Sequence, residues 1–228
     1  VYHTVINNKQ HFEPLSLQAD IQKDTVAFEL NATNFNNILD NLNLNGRLFF
    51  VDDMVQISFL PSDLVILQDR WSIDPSNYLR FNKKRIETEA FRLTLNDRII
   101  ELENIGNRGL KAHVEGFDLS LIDEIWDYSK LDFNGRFTVE VSAQDIFKLQ
   151  ELELSVMADT MFVNGDDWGV LRIDANMPTT KHAVQGYVSI TKDDQQLITE
   201  GYFAPPKSIR QDFMKYKYEF NGNISNFP

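Results

Sequence analysis

Apolar and polar residues alternate along much of the chain, and the alternation is cleanest in its second half. In QELELSVMA, Leu152, Leu154, Val156 and Ala158 share one side while Glu151, Glu153 and Ser155 take the other. A period of two belongs to a strand with one buried face. FTVEVSA repeats it, with Phe137, Val139, Val141 and Ala143 against Thr138, Glu140 and Ser142. GVLRIDANM sets Leu171, Ile173, Ala175 and Met177 against Arg172, Asp174 and Asn176, and VQGYVSI sets Val184, Gly186, Val188 and Ile190 against Gln185, Tyr187 and Ser189. KYKYEF, near the end, sets Tyr216, Tyr218 and Phe220 against Lys215, Lys217 and Glu219.

Short polar breaks, VNGDDW, MPTTKH and KDDQQ, separate these runs. They are hairpin-sized and rich in Asn-Gly, Pro and Asp, so consecutive strands are predicted to be antiparallel neighbours in a meander. One-sided alternation also predicts a sheet with one apolar and one wet face. The apolar side then needs a cover: a second sheet, closure of the sheet on itself, or something that is not protein.

Helical signal is confined to two stretches. NFNNILDNL places Phe35, Ile38, Leu39 and Leu42 at helical spacing, and SLIDEIWDYSK does the same with Leu121, Ile122, Ile125 and Trp126 behind Ser120 and Asp123. Both are too short to stand unpacked and are predicted to plug the sheet. Each follows a strand and precedes Asn-Gly-Arg: TVAFEL, NFNNIL and LNGRLFF first, then KAHVEG, FDLSLI and FNGRFTV. The order suggests one continuous β-rich segment, 1–228, with repeat-like units over 25–111 and 112–214, each unable to bury its apolar face alone. The Asn-Gly is read as the turn that hands each helix over to the next strand.

Composition narrows the function classes. The chain carries 22 Lys plus Arg against 34 Asp plus Glu, a formal charge of −12. Its basic residues are scattered, so a nucleic-acid partner is not expected: that needs a basic face. The longest apolar stretch, MVQISFLPSDLVIL, is interrupted by Gln56, Ser58, Pro61 and Asp63, and no membrane span is expected in this segment. With no Cys, thiolate chemistry and disulfides are excluded. The chain opens at Val1 with no Met and is read as either a mature form or a fragment, any anchor being expected outside it.

Catalytic and metal chemistry find little footing. His3, His11, His113 and His182 have no ligand spacing, and no metal or other cofactor is expected. Asp52-Asp53, Asp166-Asp167 and Asp193-Asp194 are read as turn residues rather than calcium ligands. GxSxG, the P-loop and GxGxxG are absent from the sequence. The chain is not expected to be an enzyme. Asn31-Ala32-Thr33 and Asn223-Ile224-Ser225 match the N-glycosylation acceptor, and Asp24-Thr25-Val26 and Asp159-Thr160-Met161 a short O-glycosylation acceptor, but triplets of this kind arise readily by chance.

An ordered series of features carries a family resemblance. Trp71-Ser72-Ile73-Asp74-Pro75 is followed by Asn77, then Leu93-Thr94-Leu95 and the run from Ile99 to Leu102. Next come Phe117-Asp118-Leu119-Ser120, the Gly135 strand, Val163-Asn164-Gly165, Gly169, Leu171 and Gly201-Tyr202. In this order the chain resembles an internal segment of a TamB-type translocation and assembly module protein, of the AsmA-like group, in its Bacteroidetes-like form. The likeness covers most of residues 25–204. Asn176-Met177-Pro178 departs from it where a Trp-Asp turn belongs, and residues 1–24 show no match.

The resemblance implies an all-β, elongated, curved antiparallel sheet, taco-like, with an apolar concave face and one or two short helices. It implies a periplasmic location for this segment, an inner-membrane anchor for the full-length protein, and a BamA-type outer-membrane barrel as partner. Phospholipid acyl chains would lie in the groove during transport between membranes in support of outer-membrane assembly. The inward residues of the strands above are the groove candidates: Phe137, Val139, Val141, Leu152, Leu154, Val156, Leu171, Ile173, Val188 and Ile190. The same alternation also fits a closed β-sandwich module that binds protein or glycan and carries no lipid, and the residues leave that alternative open.

Overall fold

The computed structural model describes residues 4–6, 10–12, 16–35, 39–60, 64–66, 69–120, 131–148, 150–178, 183–204 and 217–225. The chain is all β there, and every strand pairing is antiparallel. A small hairpin joins β1 (Thr4–Ile6) to β2 (Gln10–Phe12). Then come β3 (Ser16–Gln22), β4 (Thr25–Phe35), β5 (Leu39–Val51), β6 (Met54–Phe59), β7 (Val65–Ile66), β8 (Asp69–Arg70), β9 (Ser72–Ile73), β10 (Tyr78–Phe81) and β11 (Ile86–Glu89). The remainder is β12 (Arg92–Leu95), β13 (Arg98–Ile105), β14 (Gly109–Asp118), β15 (Phe133–Asn134), β16 (Arg136–Asp145), β17 (Gln150–Val163), β18 (Asp166–Met177), β19 (Val184–Lys192), β20 (Gln195–Ala204) and β21 (Lys217–Ser225).

Two sheets result. The first runs β11-β10-β6-β5-β4-β3, with β7 and β8 attached beside β5; the second runs β21-β20-β19-β18-β17-β16-β14-β13-β12-β9, with β15 beside β17. From β16 to β21 each strand pairs with the next in sequence, so the predicted meander holds. Neither sheet is closed or curled into the taco expected from the resemblance. Closure needs the two outer strands to pair, and here β3, β11, β9 and β21 each end a ladder.

The sheets are stitched where β11 runs beside β13. Ile86 N donates to Asn107 O and Leu102 N to Phe91 O, both at 3.0 Å. Between these bonds the Asn104 side chain stands in for a strand: its Oδ1 accepts from Thr88 N at 2.5 Å and its Nδ2 donates to Ile86 O at 2.8 Å.

The crossover after β6 closes over this seam. Leu64, Trp71 and Ile73 are buried with Leu93 and Phe117, against Leu44 and Phe59 of the first sheet and Leu95, Ile100, Val114 and Phe137 of the second. A plug therefore exists among the described residues, and it is not the first of the two stretches that helical spacing predicted. The described residues of NFNNILDNL are strand, not helix: Phe35 ends β4, Leu39 to Leu42 begin β5, and Phe35 pairs with Leu39 and Ala32 with Leu42, while 36–38 lie outside the described residues. The Asn-rich stretch has poor helix propensity, and two turns could not outweigh a long hairpin ladder that continues the sheet. Of SLIDEIWDYSK, residues 121–130 lie outside the described residues.

Both Asn-Gly-Arg motifs are also corrected. Asn45-Gly46 lies in mid-β5, Gly46 facing Phe28 on one side and Phe59 on the other. A Cβ on Gly46 would run into the Phe28 ring, so the glycine admits that ring rather than making a turn. Gly135 separates β15 from β16, yet both strands pair with the same neighbour, β17. Its φ of 127° and its approach to the Thr160 carbonyl mark a kink within one strand. Asn-Gly makes a tight turn only where the flanking strands pair with each other, as at Asn164-Gly165 between β17 and β18, with φ of 53° and 84°.

Gly135 belongs to a row of such irregularities. The register shifts at Gly116 in β14, at Asp159-Thr160 in β17, and opposite Gly169 in β18. All adjoin the cross-strand row Phe117, Phe137, Ala158 and Leu171. Bulges bend the strands that carry them, and past this row the alternation slips, so that Met161 and Val163 turn into the core with Leu119.

Candidate functional site

Residues directly opposite in an antiparallel ladder lie on one face of the sheet, so the register decides whether the candidates form a surface. They do. Leu93, Ile100, Val114, Val139, Val156, Ile173 and Val188 make one row across seven strands. Leu102, Ala112, Val141, Leu154, Ala175 and Gly186 make the next. Phe137, Ala158, Leu171 and Ile190 run on one side, and Ala143, Leu152 and Met177 on the other.

All of the predicted groove residues thus share one face, but not one environment. Leu171 is buried in a second core cluster with Leu119, Ala158, Met161 and Val163, and Phe137, Ile173, Val188 and Ile190 pack against it. These serve the fold. Val139, Leu152, Leu154 and Val156 are half-buried, and Val141 is 43% exposed in mid-face. They form the open floor. Sequence reasoning missed the β13 and β14 part of this floor, Ile100, Leu102, Ala112 and Val114. The alternation of KAHVEG already carried its signal.

The first sheet presents the same kind of face on the same side of the seam. Val26, Leu48, Ile57 and Leu79 form one row and Phe28, Gly46 and Phe59 another, and Phe59 and Leu44 reach the cluster under Trp71. Leu17, Ile21 and Phe50 at this end, and Ile224 at the other, are largely exposed.

The opposite face is charged and internally paired. Lys111 Nζ lies 2.8 Å from Glu140 Oε1, and His113 bridges Glu140 and Glu115 at 3.4 and 3.3 Å. Arg172 Nε donates to Asp174 at 2.6 Å, and Ser155 Oγ donates to the other carboxylate oxygen at 2.9 Å. At the sheet's end Arg108 grips Asp145 with two nitrogens, at 2.8 and 3.1 Å. The Lys111 ammonium holds the Glu140 carboxyl below its ordinary value, and the Arg108 and Arg172 guanidiniums do the same for Asp145 and Asp174.

These shifts fix a pH dependence. The folded carboxyls bind protons more weakly than the unfolded ones, whose ordinary values are 3.8 for Asp and 4.5 for Glu. Their contribution is therefore complete above that range and is lost as pH falls through the folded values. The melting temperature should hold level from neutral pH to about pH 5 and then drop, with a shallower acid limb in Asp145→Asn. Thermal unfolding against pH reads this directly; an acid limb unchanged by the substitution would remove Asp145 from the account.

Among the described residues no group of three or more His, Asp or Glu side chains is placed to hold a metal ion, and no helix is long and apolar enough to cross a membrane. No protein-family model matches the chain, and neither does any curated protein or solved structure.

Proposed function

We propose that this chain handles lipid without catalysis, its apolar face acting as a surface along which phospholipid acyl chains are held and moved. In this reading it is an internal, periplasmic segment of a TamB-like envelope protein. The full-length protein is anchored in the inner membrane, supports outer-membrane assembly and works with a BamA-type barrel. The observation that carries the reading is the half-exposed Val141, central in an apolar floor that continues through Val139, Leu154 and Val156 across neighbouring strands. A contiguous apolar surface that the described residues leave part-exposed is a place for an apolar ligand. Each methylene buried contributes about 0.8 kcal/mol, so a chain is held strongly as a whole. It can still slide, because one methylene replaces another.

The test is mass spectrometry of organic extracts from the purified protein. Co-purified phospholipid is expected, with most of it lost in Val141→Asp. That side chain is already part-exposed, so the fold tolerates the change. Lipid-free protein, or lipid retained in full by the variant, sinks the proposal.

A further inference from the structure

Two shallow basins indent the polar face of the second sheet, with volumes of about 410 and 430 Å³, and they share Asp174 and Asn176. The first holds the Lys111–Glu140 ion pair. The second, between β18 and β21, is built differently. Its floor is two cross-strand rows: Asp174, Tyr187, Glu200 and Asn221, then Asn176, Gln185, Tyr202 and Glu219.

We propose that this second basin binds an uncharged oligosaccharide lying across the strands, a site independent of the acyl-chain reading because it is on the other face. The chemistry of the rows is that of polyol recognition. Glu200 and Glu219 can each accept from a pair of vicinal hydroxyls, while Asn176, Gln185 and Asn221 can both donate and accept. Tyr187 and Tyr202 offer ring faces to the C–H side of a sugar and a hydroxyl at the rim. Asp174 is engaged by Arg172 and Ser155. Among the described residues, none gives an ion pair or side-chain hydrogen bond to Glu200, Glu219, the amides or the tyrosine hydroxyls, and Gln185, Tyr202, Glu219 and Asn221 are exposed.

Charge and spacing narrow the ligand. Among the described residues no Lys, Arg or His lines the basin, and Arg172 beside it is held on Asp174, so phosphate, sulfate or uronate groups would meet mainly carboxylates. A purely cationic ligand would use the acceptors and leave the amide donors idle. The strands repeat at about 4.8 Å, close to the length of one pyranose in an extended glycan. Successive sugars running across β18 to β21 would therefore meet successive members of each row.

Titration calorimetry with cellotetraose and, separately, with chitotetraose tests this, alongside decalysine. Saturable binding of at least one tetrasaccharide is expected, little changed by salt. Tyr187→Ala and Tyr202→Ala should each weaken it tenfold or more, and Glu200→Gln several-fold. Tyr202→Phe should keep most of it, the ring being retained. Glu103→Gln, on the same face outside the basin, and Val141→Asp, on the opposite face, should leave it unchanged. The near-isosteric Tyr202→Phe and Glu200→Gln keep the comparison valid should an alanine variant fail to fold. The proposal is overturned if neither tetrasaccharide binds, or if binding survives both tyrosine-to-alanine changes. It is equally overturned if decalysine alone binds and is released by salt, which would make the basin a seat for a basic peptide.

Discussion

Replacing Trp71 with alanine should destabilise the protein by about 3–5 kcal/mol, the range for truncating a large buried aromatic. Trp71 is 1% exposed and stacks on Phe117, with ring centroids 5.7 Å apart and planes within 13°. Its backbone N–H donates to Leu64 O at 3.0 Å, so ring and main chain hold the crossover together. The cavity would open among Leu64, Ile73, Leu93 and Phe117, where side chains from both sheets converge. A second consequence follows from that position. The sheets share this cluster and a short seam of hydrogen bonds, so losing the ring should loosen their coupling as well as lower the midpoint. In guanidinium titrations of Trp71→Ala, far-UV circular dichroism and the fluorescence of the two remaining tryptophans, Trp126 and Trp168, should no longer give coincident transitions, as a two-state unit requires. Coincident curves with a loss under about 1 kcal/mol would place the join of the two sheets elsewhere.

What the sequence disclosed depended on the range over which its signal acts. Alternation is local, and it located β16 to β20 and the common face of Val139, Leu154, Ile173 and Val188, because a period of two leaves only the register to be found. Irregularities were less legible. Asn45-Gly46 and Asn164-Gly165 carry the same dipeptide, and only the second turns the chain. What separates them is the Phe28 ring packed on Gly46, a contact from another strand. Asp159-Thr160 likewise gives no local hint that the alternation slips there and sends Met161 and Val163 inward. Exposure was invisible too. Leu171 and Val141 look equivalent in the sequence, but only Leu171 has Leu119 and Met161 packed around it. The polar basin went unread because Tyr187, Tyr202 and Glu200 come together only through the β19–β20 register.

Asn77→Leu is expected to cost at least about 2 kcal/mol, from about 1–3 kcal/mol for each of the two buried polar groups left without a partner. Asn77 is 1% exposed and its amide is fully used. Oδ1 accepts from Phe59 N at 2.9 Å, while Nδ2 donates to Phe59 O at 2.9 Å and to Asp74 O at 2.7 Å. The side chain thus gives Phe59 both hydrogen bonds of a paired strand residue, at the end of β6. Leucine keeps the branching at Cγ but leaves the Phe59 N–H and carbonyl without their partner, while Asp74 O keeps the backbone N–H of residue 77. Asn77→Asp separates hydrogen bonding from size. At neutral pH it keeps the acceptor, loses both donors and buries a negative charge against two carbonyl oxygens, so it should be the less stable of the two. Those surroundings raise the carboxyl's proton affinity above the unfolded value, and a raised folded value means stability is regained as pH falls through it. Between neutral pH and about pH 5 the melting temperature of Asn77→Asp should climb on acidification while the wild type stays level. Parallel profiles for the two proteins would show that the amide's donors do not hold this corner of the fold.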